Sequence, residues 1–313
     1  MALLCAALVL AITSLSAFIR LARAGLGCEP WPQCYGQSLS EATQAAAQPV
    51  APPVALARLA HRVTAVAALV VIVMMVMTAL LSAPILWREG AMALCLLALA
   101  LFLAILGRWT ADARVPAVVL GNLLAGFAMF ALACRLALST SRRPAGRPVP
   151  GAWVGLAGAL LVTQIALGGL ASAGHAGISC PELARCDLSV ASWQALNPWH
   201  APLFDAADPA NAAGALLHLL HRTAGLALLA VLLPLGIVAW RRGRRAGAVL
   251  VLLLAVQVAL GALLVLAARP LALALAHNLV AALLLAALVS LNGGPAAASQ
   301  EKVSGAPPGS SAR

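Results

Sequence analysis

This chain has very little charge. Only 9% of its 313 residues are Asp, Glu, Lys or Arg, where a soluble domain carries about 25%. With 63% hydrophobic residues it has too few polar side chains to face water on all sides, which excludes an ordinary soluble domain and makes lipid the solvent. Lysine is nearly absent: 19 Arg and one Lys leave a net charge of +11. A basic balance suggests nucleic acid as a partner, but these arginines cluster in short loops between apolar runs. That distribution orients a membrane protein and argues against a nucleic-acid-binding face.

What the chain has in abundance is long apolar runs. Eight spans are expected, at roughly 2–22, 56–81, 91–108, 115–138, 152–172, 212–240, 246–268 and 270–292, each close to the ~20 residues that cross a bilayer. The first lacks a basic n-region, and "FIRLARAGLGC" reads as the end of a span, so a retained helix is expected rather than a cleaved signal peptide. Arg135, Arg142, Arg143, Arg147, Arg241, Arg242, Arg244 and Arg245 fall in loops on one side, with Glu89 as the acid there. Glu29, Glu41, Asp112, Glu182, Asp187, Asp205 and Asp208 fall on the other. The arginine-rich side is expected to be cytoplasmic, with both termini inside and the protein multi-pass in the inner (cytoplasmic) membrane. The small, polar tail 293–313 is expected to be disordered.

The two long outer loops resemble each other. "ARAGLGCEPWPQC" and "ASAGHAGISCPELARC" both contain Cys-x5-Cys, Cys28 with Cys34 and Cys180 with Cys186, just after a span. Each loop is followed by a helix with His-Arg near its outer end, His61–Arg62 and His221–Arg222. A duplicated four-helix unit explains this, with one half at 1–140 and the other at 141–292, in the same orientation because four is even. The cysteine pairs lie in loops assigned to the outside, where disulfides persist. They read as structural staples, with a redox-active dithiol as the alternative. Cys5, Cys95 and Cys134 read as small buried residues.

Ionisable residues inside a span are costly and mark function. Counted from 212, His221 lies about nine residues into its helix, ~13 Å at 1.5 Å per residue, and His277 about seven into the last span. Both helices run inward from the outer side, so the imidazoles share a depth, as in a bundle that holds a planar haem by both axial positions. Zinc lacks a third and fourth ligand at that depth. A proton relay lacks membrane carboxylates. Arg222, and Arg62 in the same place beside His61, are expected to face haem propionates, the alternative being arginines that snorkel to the headgroups. His218, one turn before His221, could line the site or replace His221 as ligand, although the repeat aligns His221 with His61; His175 and His200 are expected to be solvated. "TQIALGGL" and "VQVALGAL" share Gln-x-Ala-Leu-Gly, so Gln164 and Gln257 could bond across the bundle or toward a porphyrin, and Gly168 and Gly261 allow close helix approach.

Taken in order, "RLARAGLGCEPWPQCYG", "AHRVTA", "GGLASAGHAGISCPELARC", "LLHRTAG" and "AHNLVAALLL" on eight spans resemble the haem A synthase family over residues 1–292. The resemblance implies an all-α membrane protein of two four-helix halves. It implies a cofactor, haem b, held by His221 and His277, and a substrate, haem O, whose iron is held by His61 in the first half. The reaction implied is oxidation of a haem O methyl group to a formyl group in two hydroxylation steps. Haem O synthase and a membrane electron carrier are the protein partners it suggests. The sequence departs from the family pattern in the first half: Arg58 stands where the family has Glu, Asn122 where it has His, and Leu103 precedes Gly107 in place of Gln. Arg58 stays a catalytic candidate beside His61, although losing the carboxylate removes the obvious acid/base group. A haem b electron-transfer protein without substrate chemistry is the competing expectation. A transporter is weaker, because the spans lack the Gly/Pro-broken helices of many carriers.

Overall fold

The computed structural model describes residues 1–23, 52–110, 115–139, 147–180, 182, 183, 186, 188, 190–200, 211–267 and 269–291. The helices are α1 (Ala2–Arg23), α2 (Pro52–Leu81), α3 (Trp87–Thr110), α4 (Pro116–Ser139), α5 (Gly151–Ala173), α6 (Ala215–Arg241), α7 (Arg245–Leu266) and α8 (Leu271–Ser290). All eight are long and apolar enough to cross a membrane, and no strand occurs among the described residues. Three short 3-10 turns, Ala176–Ile178, Val190–Leu196 and Ala212–Gly214, lie between α5 and α6. The 293–313 tail, Arg142, Arg143 and most of the outer acids lie outside the described residues.

The expected spans match these helices, with two earlier starts. Helix α2 begins at Pro52 rather than 56, since proline suits the first helical turn, where its missing N–H costs nothing. Its 30 residues reach about 45 Å, more than the ~30 Å hydrocarbon layer, so it either tilts or projects. Helix α3 begins at Trp87 rather than 91.

The cysteines differ from expectation in two places. The expected Cys28–Cys34 disulfide has no counterpart among the described residues, because Cys28 and Cys34 both lie outside them; the disulfide found there is Cys180–Cys186. Cys5 is buried and Cys134 partly so, but Cys95, expected to be buried, is exposed. It sits on the outer face of α3, where lipid accepts a small apolar side chain as readily as a core does.

Each helix packs on its chain neighbours, and α1 also meets α4 while α5 meets α8, so α1–α4 and α5–α8 each close into a ring. The two rings meet where α4 touches α5 and α8 and where α1 touches α8. Leu120 and Leu123 of α4 fill the space over Gly169 of α5. The Arg20 guanidinium donates to Ser172 Oγ and ties α1 to α5 at the outer end.

The arginines of the α6–α7 turn do more than carry charge. Gly243 takes φ 80° to close the turn, a conformation cheap only for glycine. Arg242 donates to Pro148 O before α5, its own carbonyl accepts from Arg147 N at 3.0 Å, and buried Arg244 donates to Ser290 O of α8 at 3.3 Å. These arginines therefore bind three helix ends together.

Candidate functional site

His221 and His277 face each other inside the second ring. Each is the seventh residue of its helix, counted from Ala215 and from Leu271. The 3-10 turn Ala212–Gly214 before α6 accounts for the difference from the nine residues expected for His221. Their ring centroids are 6.4 Å apart and the planes cross at 72°. Two metal–imidazole bonds of about 2 Å, plus about 1 Å from nitrogen to centroid on each side, call for roughly 6 Å. The Nδ1 atom of each ring is buried without a hydrogen-bond partner. A buried polar atom left so is costly unless something else satisfies it. Among the described residues no three His, Cys, Asp or Glu side chains converge, so the site offers two facing imidazoles rather than a tetrahedral zinc set. The residues therefore fit a planar haem.

The repeated Gln-x-Ala-Leu-Gly segments explain how these rings are held. On α5, Gln164 Nε2 donates to the His221 carbonyl at 2.9 Å. Gly225 makes this possible, because a Cβ there would lie 3.1 Å from the same amide nitrogen. One turn further along α5, Gly168 leaves room for the His221 ring, whose Cε1 would lie 2.8 Å from an added Cβ. On α7, the Gln257 amide nitrogen donates to His277 Nε2 at 3.1 Å. Gly261 lies under that ring, with Cε1 3.3 Å from an added Cβ. Each histidine thus rests in a cradle on the preceding helix. In the first ring Leu103 replaces the glutamine, and a Cβ on Gly107 would meet nothing within 4 Å.

Above this site lie the described residues of the outer loop. Cys180 and Cys186 form a disulfide with a Cα–Cα distance of 4.7 Å. Arg222, expected to face a propionate, spends three N–H groups on the loop: Nη1 donates to Glu182 O at 2.7 Å and Leu183 O at 3.0 Å, and Nη2 to Cys180 O at 2.9 Å. His218 is buried against the Ala176 backbone. Arg20, Gly225 and Arg269 escaped sequence reading because the groups they meet, Ser172 Oγ, the Gln164 amide and the Gly177 carbonyl, lie on other elements.

His200 is exposed, as expected, but His175 is buried. It takes a left-handed φ of 57° and turns inward as the chain leaves α5. Burial lowers its pKa from 6.5 to about 4. The folded state therefore resists the proton that the unfolded chain takes up below pH 6.5. Stability is present above that pH and is lost as pH falls toward 4, by about 3 kcal/mol at 1.36 kcal/mol per unit. Thermal unfolding in detergent should show a midpoint that drops between pH 7 and pH 4.5. His175→Asn, which tolerates the left-handed backbone, should flatten that dependence; an unchanged slope would refute the assignment.

In the first ring His61 and Arg58 are half-buried on α2, one turn apart, and Arg62 is exposed. Asn122, on α4, donates to Ser16 Oγ of α1 at 3.2 Å. No contact joins Asn122 to His61 among the described hydrogen bonds.

Residues 1–289 match the COX15-CtaA family, described as cytochrome oxidase assembly protein. A heme A synthase of Shewanella oneidensis is 31% identical over 310 residues, covering 90% of this chain and 92% of the relative. With the match running through all eight helices, the chain belongs to the COX15-CtaA family of cytochrome oxidase assembly proteins.

Proposed function

We propose that the protein is a haem A synthase, an oxidoreductase that converts the methyl group of haem O to a formyl group in two two-electron steps. The observation that carries this reading is the facing His221–His277 pair, each ring cradled by a glycine of the preceding helix. These two histidines would hold haem b in the half formed by residues 141–292. When bound, haem b supplies one-electron transfer. Gln164 and Gln257 orient the two ligand segments, Gly168 and Gly261 give the rings room, and the apolar walls of α5–α8 keep water out. In the half formed by residues 1–140, His61 would hold the substrate iron, and Arg58 and Arg62 supply positive charge toward the propionates. A Cys28–Cys34 disulfide would staple the outer loop of that half, as Cys180–Cys186 does in the other. Arg222 has two N–H groups beyond those given to the loop, on Nε and Nη2, and these suit a propionate of haem b. The arginine-rich side faces the cytoplasm, which places both termini there and the haem sites toward the outer surface of the inner membrane. Haem O synthase and a membrane electron carrier are the partners that such a reaction requires for supply and for removal of electrons.

The test is haem A formation in a strain that lacks its own synthase and supplies haem O, read by extraction and mass analysis. A second reading, a haem b electron-transfer protein without this chemistry, is favoured by one observation: Asn122 is engaged with Ser16 where the resemblance calls for a histidine. Haem b present with no haem A above background would select it.

The glycines give a graded prediction. A glycine-to-alanine change inside a helix usually favours the helix by about 1 kcal/mol. Gly168→Ala should nevertheless lower haem b affinity by at least about tenfold, because 2.8 Å forces the His221 ring to move. Gly261→Ala, at 3.3 Å from His277, should cost less. Haem-to-protein ratio and helical content of the purified variants check this; the reverse order would sink the cradle.

A further inference from the structure

Four carbonyls of the outer loop are shared between two arginines, Arg222 on the His221 helix and Arg269 just before the His277 helix. Arg222 is the residue after His221 and bonds Cys180 O, Glu182 O and Leu183 O. Arg269 comes just before Pro270, the N-cap of α8, and takes φ 60°. Its backbone N–H donates to Leu264 O of α7 at 2.9 Å. Its side chain reaches back across the bundle, with Nε donating to Gly177 O and Nη2 to Cys180 O at 3.4 Å. His277 lies eight residues further on, about 12 Å down the helix.

All four accepting carbonyls lie between residues 177 and 183, in or beside the ring closed by Cys180–Cys186. A disulfide restricts the conformations such a loop can sample. It therefore presents the carbonyls in a fixed array, and Cys180 O takes a bond from both sides.

We propose that the Cys180–Cys186 loop is a clasp over the histidine pair, and that Arg269 is a positioning residue that, with Arg222, holds the outer ends of α6 and α8 at the spacing the two imidazoles need. The inference rests on the bis-histidine reading above. It assigns the second-half disulfide a role in holding a ligand site rather than in exchanging electrons. Opening the clasp lets the two helix ends separate and admits water. Water stabilises the ferric charge and lowers the potential.

The experiment uses the full-length holoprotein in detergent. Haem b transfer to apomyoglobin gives the rate of loss, and the ferric/ferrous ratio at a fixed redox poise gives the potential. The variants are Arg269→Gln, Arg269→Lys, and Cys180→Ser with Cys186→Ser. Arg269→Gln and the cysteine pair should each speed haem loss by about tenfold or more. Each should move the ratio about tenfold toward ferric, or about 59 mV for one electron. Arg269→Lys should recover part of both. Combining Arg269→Gln with the cysteine changes should add little, since both act through one array of carbonyls. If the cysteine variant does not fold, wild-type protein opened with a water-soluble phosphine should show the same tenfold changes. Rates and ratios within twofold of wild type would overturn the clasp. So would an effect of Arg269→Gln with none from opening the disulfide, which would mean that Arg269 acts on the haem directly. A wild-type protein with no bis-histidine haem would instead overturn the underlying site reading, and that result is read before any variant is made.

Discussion

His221→Ala and His277→Ala are each expected to abolish the low-spin, six-coordinate b-type spectrum of the purified protein, while His61→Ala leaves most of it. Two neutral imidazoles on opposite faces of the iron make a strong axial field. Removing either would leave the haem one histidine of the pair. His218 tests the alternative within the same helix. It lies one turn before His221 and is buried against the 3-10 turn at Ala176 rather than facing His277 in a ring contact. His218→Ala should therefore keep the six-coordinate spectrum. If His61→Ala alone removed the haem, the assignment of the two halves would be reversed. Absorption spectra of reduced and oxidised protein, with haem extraction to count the iron, decide among these outcomes.

The second large effect concerns the first half. In a synthase-deficient strain supplied with haem O, wild-type protein should form haem A, His61→Ala should fall to the strain background, and Arg58→Glu should equal or exceed wild type. Arg58 and His61 share one face of α2, one turn apart and both half-buried. A guanidinium there can pair with a propionate, but it cannot act as the acid/base or cation-stabilising group that a carboxylate supplies. Such groups are worth about 10² to 10⁴ in rate. Restoring the carboxylate therefore should raise yield by up to about tenfold where proton handling limits the reaction. Asn122→His has a cost built in, because it gives up the 3.2 Å bond to Ser16. It should still tighten haem binding in that half if α4 supplies the second face of the site. Equal background yields from wild type, His61→Ala and Arg58→Glu would sink the enzyme reading and leave the haem b protein.

Residue pattern alone determined a good deal of this protein. Apolar runs near 20 residues long can only be helices in lipid, because every backbone N–H and C=O must then be satisfied within its own segment. The eight helices follow from that, with starts displaced where a proline or tryptophan begins a helix outside the apolar run and where a 3-10 turn precedes α6. The pairing of His221 with His277 was also legible, since two ionisable side chains in otherwise apolar helices at matched depth have few affordable arrangements. The repeat of Gln-x-Ala-Leu-Gly marked α5 and α7 as related, but not why. Only the tertiary structure decided that one glutamine holds a histidine's carbonyl and the other a histidine's ring, and that the two glycines differ by half an ångström in the room they leave. It also decided that His175 is buried, although it was expected to be solvated, and that Arg222 and Arg269 converge on one carbonyl. The reason is common to all of these. Helix periodicity and hydropathy describe a segment against its solvent, whereas these contacts join side chains to atoms of other segments, 20 to 89 residues away, and no local pattern encodes where those atoms will be.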